Sequence, residues 1–245
     1  MAMKNAFLFF VLIIIIGIAG CSKPGNNGYT KLHIKPMFGA KQLFLDSTYQ
    51  SPDNRFYYFN DFEFFISHIK FIKADGSSIE VGQLIYDSAG LAQPRIYPLN
   101  NPTGSFVAIQ FSIGLDSIQD AVYPSTDSNS PLYVNNGMYW NSSLEYVFVK
   151  LSGNGDIVNP AMQSIGYHVG TAPYYRTVTL TKSFSTSDNT QTDLNLNVDV
   201  QQLFWGNANR IDITNQSQTV TNTTVNPATA VQFINDFSTI FSFSN

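Results

Sequence analysis

The chain has one cysteine in 245 residues, three histidines, two tryptophans and only 12% charged side chains. With Cys21 alone, no intrachain disulfide and no thiolate metal cluster can form, so stability depends on the apolar core. Basic residues are few, 13 against 17 acidic ones for a formal charge of −4. That balance argues against nucleic acid as a partner, because phosphate binding needs clustered Lys and Arg. Long helical periods are scarce and no repeat of fixed length is present. There is no Gly-x-Ser-x-Gly elbow, and no spacing singles out a pair among Asp61, Glu63, Asp116 and Asp120. A non-catalytic protein is expected.

What is present begins at the N-terminus. MAMKNAFLFFVLIIIIGIAGC carries Lys4, an apolar run over residues 6–16, and small residues before Cys21, the layout of an export signal. Ile18, Ala19, Gly20 and Cys21 resemble the lipobox of bacterial lipoproteins, which are cut before the cysteine that takes the lipid. Residues 1–20 are thus expected to be a signal peptide, Cys21 the lipidation site, 21–28 a flexible tether and 29–245 one domain. Without Lys4 the formal charge is −5. A lipid at Cys21 implies membrane attachment, and the lack of acidic residues just after it points to an outer-membrane lipoprotein facing the periplasm.

The body is rich in Phe and Tyr, with 20 and 13, set in short β-branched or aromatic runs cut by Gly, Pro, Asn and Asp. This pattern predicts strands over 30–35, 41–45, 56–74, 79–86, 105–113, 144–151, 162–169, 175–182 and 194–200. Asp75-Gly76 reads as a hairpin turn. The strand over 144–151 is partly apolar on both faces, which places it inside a layered structure. Val231, Ile234, Phe237 and Phe241 recur at helical spacing, and Pro227 suits a first turn, predicting a helix over 227–241. The expected fold is all-β: a β-sandwich of antiparallel strands with long loops and a short C-terminal helix.

The soft and borderline metal ligands are His33, His68, His168, Met37, Met138 and Met162. Copper(I) accepts two or three donors of imidazole and thioether type, whereas a closed zinc site without cysteine needs all three histidines and a carboxylate. His168 alternates with Ile165, Tyr167 and Val169 and lies between Gly166 and Gly170, so its ring is uncrowded. The competing assignment is a hydrogen-bonded strand histidine, with the methionines as core filler.

Five segments together, FNDFEFFISHIKFIKADGS, IQFSIGLDS, NNGMYWNSSLEYVFVKLSG, IGYHVG and LNLNVDVQQLFWG, resemble the MbnP-like copper-binding domain found in exported proteins and lipoproteins of the Bacteroidota. The resemblance implies a β-sandwich outside the cytoplasm with copper as cofactor. It also implies His168 as a ligand, joined by His68 or His33, and Trp140 as a tryptophan oxidised to kynurenine by a dihaem peroxidase-type partner. Relatives often carry a second Trp where Ser142 stands, and no histidine follows His168. Two functions are therefore expected to compete. One is an anchored copper-handling protein. The other is a cell-envelope interaction module that binds protein or glycan through Trp140, Tyr139, Tyr174 and Tyr175.

Overall fold

The computed structural model describes residues 29–91, 94–156, 163–206 and 210–244. The expected signal peptide, lipidation site and tether, and also Met162, lie outside the described residues. In chain order the elements are β1 (Thr30–Phe38), β2 (Lys41–Gln42), β3 (Ser47–Gln50), β4 (Phe56–Ile72), β5 (Ser78–Ser88), β6 (Arg95–Leu99), β7 (Gly104–Ile113) and α1 (Ser117–Asp120). Then follow β8 (Tyr139–Asn141), β9 (Glu145–Asp156), β10 (Gln163–Gly170), β11 (Arg176–Thr186), β12 (Thr192–Asp199), β13 (Val220–Asn222), α2 (Pro227–Phe237) and β14 (Phe241–Phe243).

These strands build two sheets. The larger has nine strands in the order β11-β7-β4-β9-β10-β13, with β3 and β5 also on β4 and β8 on β9. The smaller runs β14-β12-β1-β2, with β6 also on β1. Most pairs are antiparallel, as expected, but β1 pairs β12 and β10 pairs β13 in parallel. The parallel pairs arise where the chain crosses over before returning, a connection that local periodicity does not encode.

Aromatic side chains fill the space between the sheets. Phe38 of β1 lies 5.5 Å from Tyr57 and 5.9 Å from Phe59 of β4, ring centre to ring centre. Phe241 of β14 lies 5.2 Å from Phe111 of β7 and 6.1 Å from Phe64 of β4. All six are buried, and each such ring contributes about 1.5–3 kcal/mol by leaving water. Helix α2 adds to this core, with Phe233 stacked on Tyr167 at 4.9 Å and Phe237 edge-on to Phe64 at 5.6 Å. The helix is shorter than its periodicity predicts. It ends at Phe237, and Phe241 instead pairs with Val198 as part of β14.

Strand β4 organises the larger sheet. Its register shifts between Phe59 and Asp61 and again between Ser67 and Lys70. Such bulges bend a strand and strengthen its twist. The first half of β4 can then pair with β9 and the second half with β7 along the same edge. The 56–74 strand of the sequence reading is this element, and the Asp75-Gly76 turn closes it onto β5. There Gly76 takes φ +83° and Asp75 Oδ1 accepts from the Ser77 N–H at 2.9 Å.

On β9, Tyr146, Val147, Phe148 and Val149 are all buried, so both faces of the strand are covered. One face looks into the sandwich. The other is covered in part by the segment between β7 and β8, which contributes the buried residues Leu115, Leu132 and Met138. Tyr139 packs edge-on to Tyr146 at 5.0 Å, and Phe65 packs on the same ring at 5.9 Å.

Candidate functional site

Beyond that covered patch, the outer face of the larger sheet turns polar. Residues of one parity on three neighbouring strands line up there: Asp61 and Glu63 on β4, Lys150 and Ser152 on β9, His168 on β10. The register sets Lys150 opposite both Glu63 and His168, and Ser152 opposite Asp61. Lys150 Nζ lies 2.6 Å from Asp61 Oδ2 and 3.3 Å from Glu63 Oε2. Tyr86 of β5 donates its hydroxyl to Glu63 Oε1 at 2.6 Å. His168 Nε2 is 2.8 Å from Ser152 Oγ.

The electrostatics follow from this packing. Burial raises Glu63 above the ordinary carboxylate range, against the lowering effect of Tyr86 and Lys150. Burial alone would lower Lys150, but the hydrogen bond and charge of Asp61, together with Glu63, reverse this and raise it. His168 is lowered, first by burial and then by the Lys150 charge, with Asp61 opposing. At neutral pH the shelf therefore carries a neutral imidazole beside a firmly held ammonium.

Lys150 also joins the two family-like segments. Gly137 closes the short turn Val134–Asn136 with φ +72°, and a Cβ placed there would come 3.8 Å from Lys150 Nζ. Next to it Met138 is buried, and its carbonyl accepts from the Val147 N–H at 2.7 Å. Trp140 follows on β8, half-buried and packed against the core. The Gly-Met-Tyr-Trp stretch thus serves as a seam that fastens the crossing segment to β9. Tyr139 and Asn141 pair with Tyr146 and Glu145, whereas His168 pairs with Lys150. Trp140 and His168 are therefore separated by about 15 Å along the strand direction at backbone level.

The other histidines stand elsewhere. His68 sits in the second bulge of β4 with φ +50°. Its Nε2 is 2.7 Å from Asp116 Oδ2 and its Nδ1 is 3.3 Å from Glu80 Oε1. Asp116 in turn caps α1, accepting from the N–H groups of Ile118 and Gln119. His68 follows Glu63 by five residues on β4, so it lies about 16 Å along the strand from the shelf. His33 belongs to the smaller sheet, faces outward and bonds Asp193 Oδ1 at 2.7 Å. The expectation that two or more of these imidazoles meet is corrected: register and sheet membership keep them apart, and each has its own oxygen partner. Among the described residues no group of three or more His, Cys, Asp or Glu is set to hold a metal ion.

The donors around His168 also suit copper(I) poorly. They are a hydroxyl, two carboxylates and an ammonium that already fills the cation position, where copper(I) prefers imidazole and thioether. The exposed aromatic platform expected of Trp140, Tyr139, Tyr174 and Tyr175 is likewise not formed. Tyr174 is buried and the other three pack against the core. Sequence reasoning missed Lys150 as the centre of the shelf. Its signal was a lone lysine on the parity of Tyr146 and Phe148 in a strand that is otherwise apolar on both faces.

A family model described as MbnP matches residues 27–225. Among solved structures, MbnP from Methylosinus trichosporium shares the fold with a TM-score of 0.50 at 12% identity, over 74% of this chain and 82% of that one. At that identity the likeness concerns the fold. No curated protein matches the chain.

Proposed function

The chain belongs to the MbnP family, and from that membership we propose a lipid-anchored, non-catalytic interaction module of the cell envelope, one that keeps the family sandwich without a copper centre built from imidazoles. Lys150 is the observation that supports this reading most. Its ammonium is held by Asp61 and Glu63, next in register to His168 and beside Gly137, where a bound cation would have to compete with it. Removing a half-buried ammonium from two carboxylates is costly, so the shelf resists exchange for a metal. Oxidation of Trp140 by a dihaem partner has no role in this reading. Anchoring rests on residues 18–21, which would tether the domain to the outer membrane on its periplasmic side.

The test is metal retention. Purified mature protein is loaded with copper(I) under reducing conditions, desalted and analysed for metal. The expected result is no stoichiometric copper, with no change in His168→Ala. One copper per chain, lost in His168→Ala, would overturn the reading and restore copper capture. Intact mass of the native protein, measured alongside, reads acylation at Cys21 and any oxygen added at Trp140.

A further inference from the structure

Helix α2 packs Phe233 and Phe237 into the core, and beside its outer face lies an open cavity of about 420 Å³ lined by Arg210, Ala228, Val231, Gln232, Asn235 and Asp236. That volume falls within the roughly 300–1,000 Å³ of small-molecule sites. Ala228, Val231 and Asn235 are exposed there, whereas Asp236 is only 5% exposed. The cavity shares no residue with the polar shelf around Lys150.

The Asp236 carboxylate has no partner among the described residues, and its Oδ2 is enclosed without a hydrogen bond. Neighbouring donors are spent elsewhere. The Thr239 hydroxyl donates to the main-chain carbonyl of Asp236 at 2.7 Å, and the Ser238 hydroxyl to that of Asn235 at 2.6 Å. Two guanidinium groups reach the region, and both are turned to other acceptors: Arg176 Nε donates to Asn235 Oδ1 at 2.8 Å, and Arg210 leans on Asp53 at 3.4 Å. Burial alone pushes Asp236 up to about 6. Every other described acid with a displaced pKa has a donor or a cation acting on it. Asp236 is also the penultimate residue of α2, where the helix dipole is negative, and no basic residue stands in that last turn. A buried, unpaired carboxylate at this end weakens the fold, and such breaches of the packing rules mark sites whose partner comes from outside.

The missing partner is a cation, and the cavity narrows its type. Calcium takes about six to eight oxygen ligands. Among the described residues no group of three or more His, Cys, Asp or Glu is assembled to supply them. A guanidinium forks onto both oxygens of a carboxylate, and here Oδ2 is enclosed. An ammonium is a compact point charge that a single oxygen can hold. Its other N–H groups can turn to Asn235 Oδ1, which accepts one bond and has room for a second. Ala228 and Val231 offer exposed apolar surface to the methylenes that carry such an ammonium. We propose that the cavity holds a lysine side chain presented by a partner protein, its ammonium on Asp236 and its methylenes along Ala228 and Val231. The assignment rests on the interaction-module reading and supplies the chemistry of the partner.

The test uses ¹⁵N-labelled mature protein titrated with Nα-acetyl-lysine amide, with Nα-acetyl-norleucine amide as the uncharged counterpart and with calcium chloride. The expected result is amide shifts confined to the cavity residues, with the lysine compound binding at least about tenfold tighter than norleucine, the worth of one charge-assisted contact. Asp236→Asn should reduce lysine to the affinity of norleucine and also raise the urea midpoint, because it removes an unpaired buried charge. Ala228→Trp fills the cavity from an exposed helix position and should abolish binding of both compounds in a folded protein. Absence of cavity shifts with the lysine compound at millimolar concentration, equal binding of norleucine, undiminished binding by Asp236→Asn, or the same shifts produced more tightly by calcium would each overturn the proposal. Copper retention is read separately, so failure here and failure of the module reading remain distinguishable.

Discussion

Replacing Lys150 by methionine keeps most of the side chain's aliphatic length and removes its charge. The ammonium lies 2.6 Å from Asp61 and 3.3 Å from Glu63, and the three side chains are 21%, 24% and 13% exposed. The cost should fall between that of an exposed pair, about 0.2–1 kcal/mol, and that of breaking a fully buried one, about 3–5 kcal/mol. About 2 kcal/mol at neutral pH is expected, a fall in Tm of roughly 4–8 °C for a domain of this size. Glu63 is already raised by burial, and losing the cation raises it further. An acid with a raised folded pKa binds its proton more tightly when folded. The deficit of the variant should therefore be full at neutral pH and fade as pH falls through the range where Glu63 protonates. His168, relieved of a neighbouring positive charge, should titrate at higher pH than in the parent protein. Urea unfolding at about pH 7 and about pH 4, with NMR titration of the His168 ring proton, reads all three effects. An unchanged midpoint at neutral pH, a deficit of equal size in acid, or an unmoved His168 would refute the account of the shelf.

Two further outcomes test the frame around it. Gly114 has φ +91°, and a Cβ there would come 2.2 Å from Phe148 Cδ2, in a ring that is fully buried. Gly114→Ala should cost about 3 kcal/mol through overpacking and backbone strain, and a loss below about 1 kcal/mol in urea unfolding would contradict the packing described. Asp87 is pushed up to about 6 by burial, with Tyr97 and Arg95 opposing. Its contribution is therefore greatest below the ordinary carboxylate pKa of about 4 and is lost as pH rises through about 6. Asp87→Asn should flatten the stability profile across that window, and an unaltered slope would mean that Asp87 ionises normally.

How much of this was legible in the sequence depended on element length. Strands β4, β5, β7, β9, β10 and β11 have eight or more residues of alternating or apolar character and are plain in the chain. Strands β3, β6, β8, β13 and β14 have five residues or fewer and exist because a longer neighbour offers them an edge, which no local pattern records. The over-extension of α2 has the same origin, since Phe241 fits a helical period but is held by Val198 on β12. The histidines were visible as residue types, but their separation was set by two bulges in β4 and by membership of different sheets. His68 shows this most directly, because its positive φ follows from a register shift that the run Phe-Phe-Ile-Ser-His-Ile-Lys does not announce.

The parallel pairing of β1 with β12 sets Lys31 opposite Asp193 and His33 opposite Asn195, and brings the His33 and Asp193 side chains, 160 residues apart, into a hydrogen bond. The opening strand cannot find its long-term neighbour until residues 192–199 are present, and contacts this remote in sequence make for slow assembly. Until then the aromatic face of the larger sheet lies bare. Any form cut short before residue 192 would be expected to reveal itself by clumping rather than by a modest loss of stability.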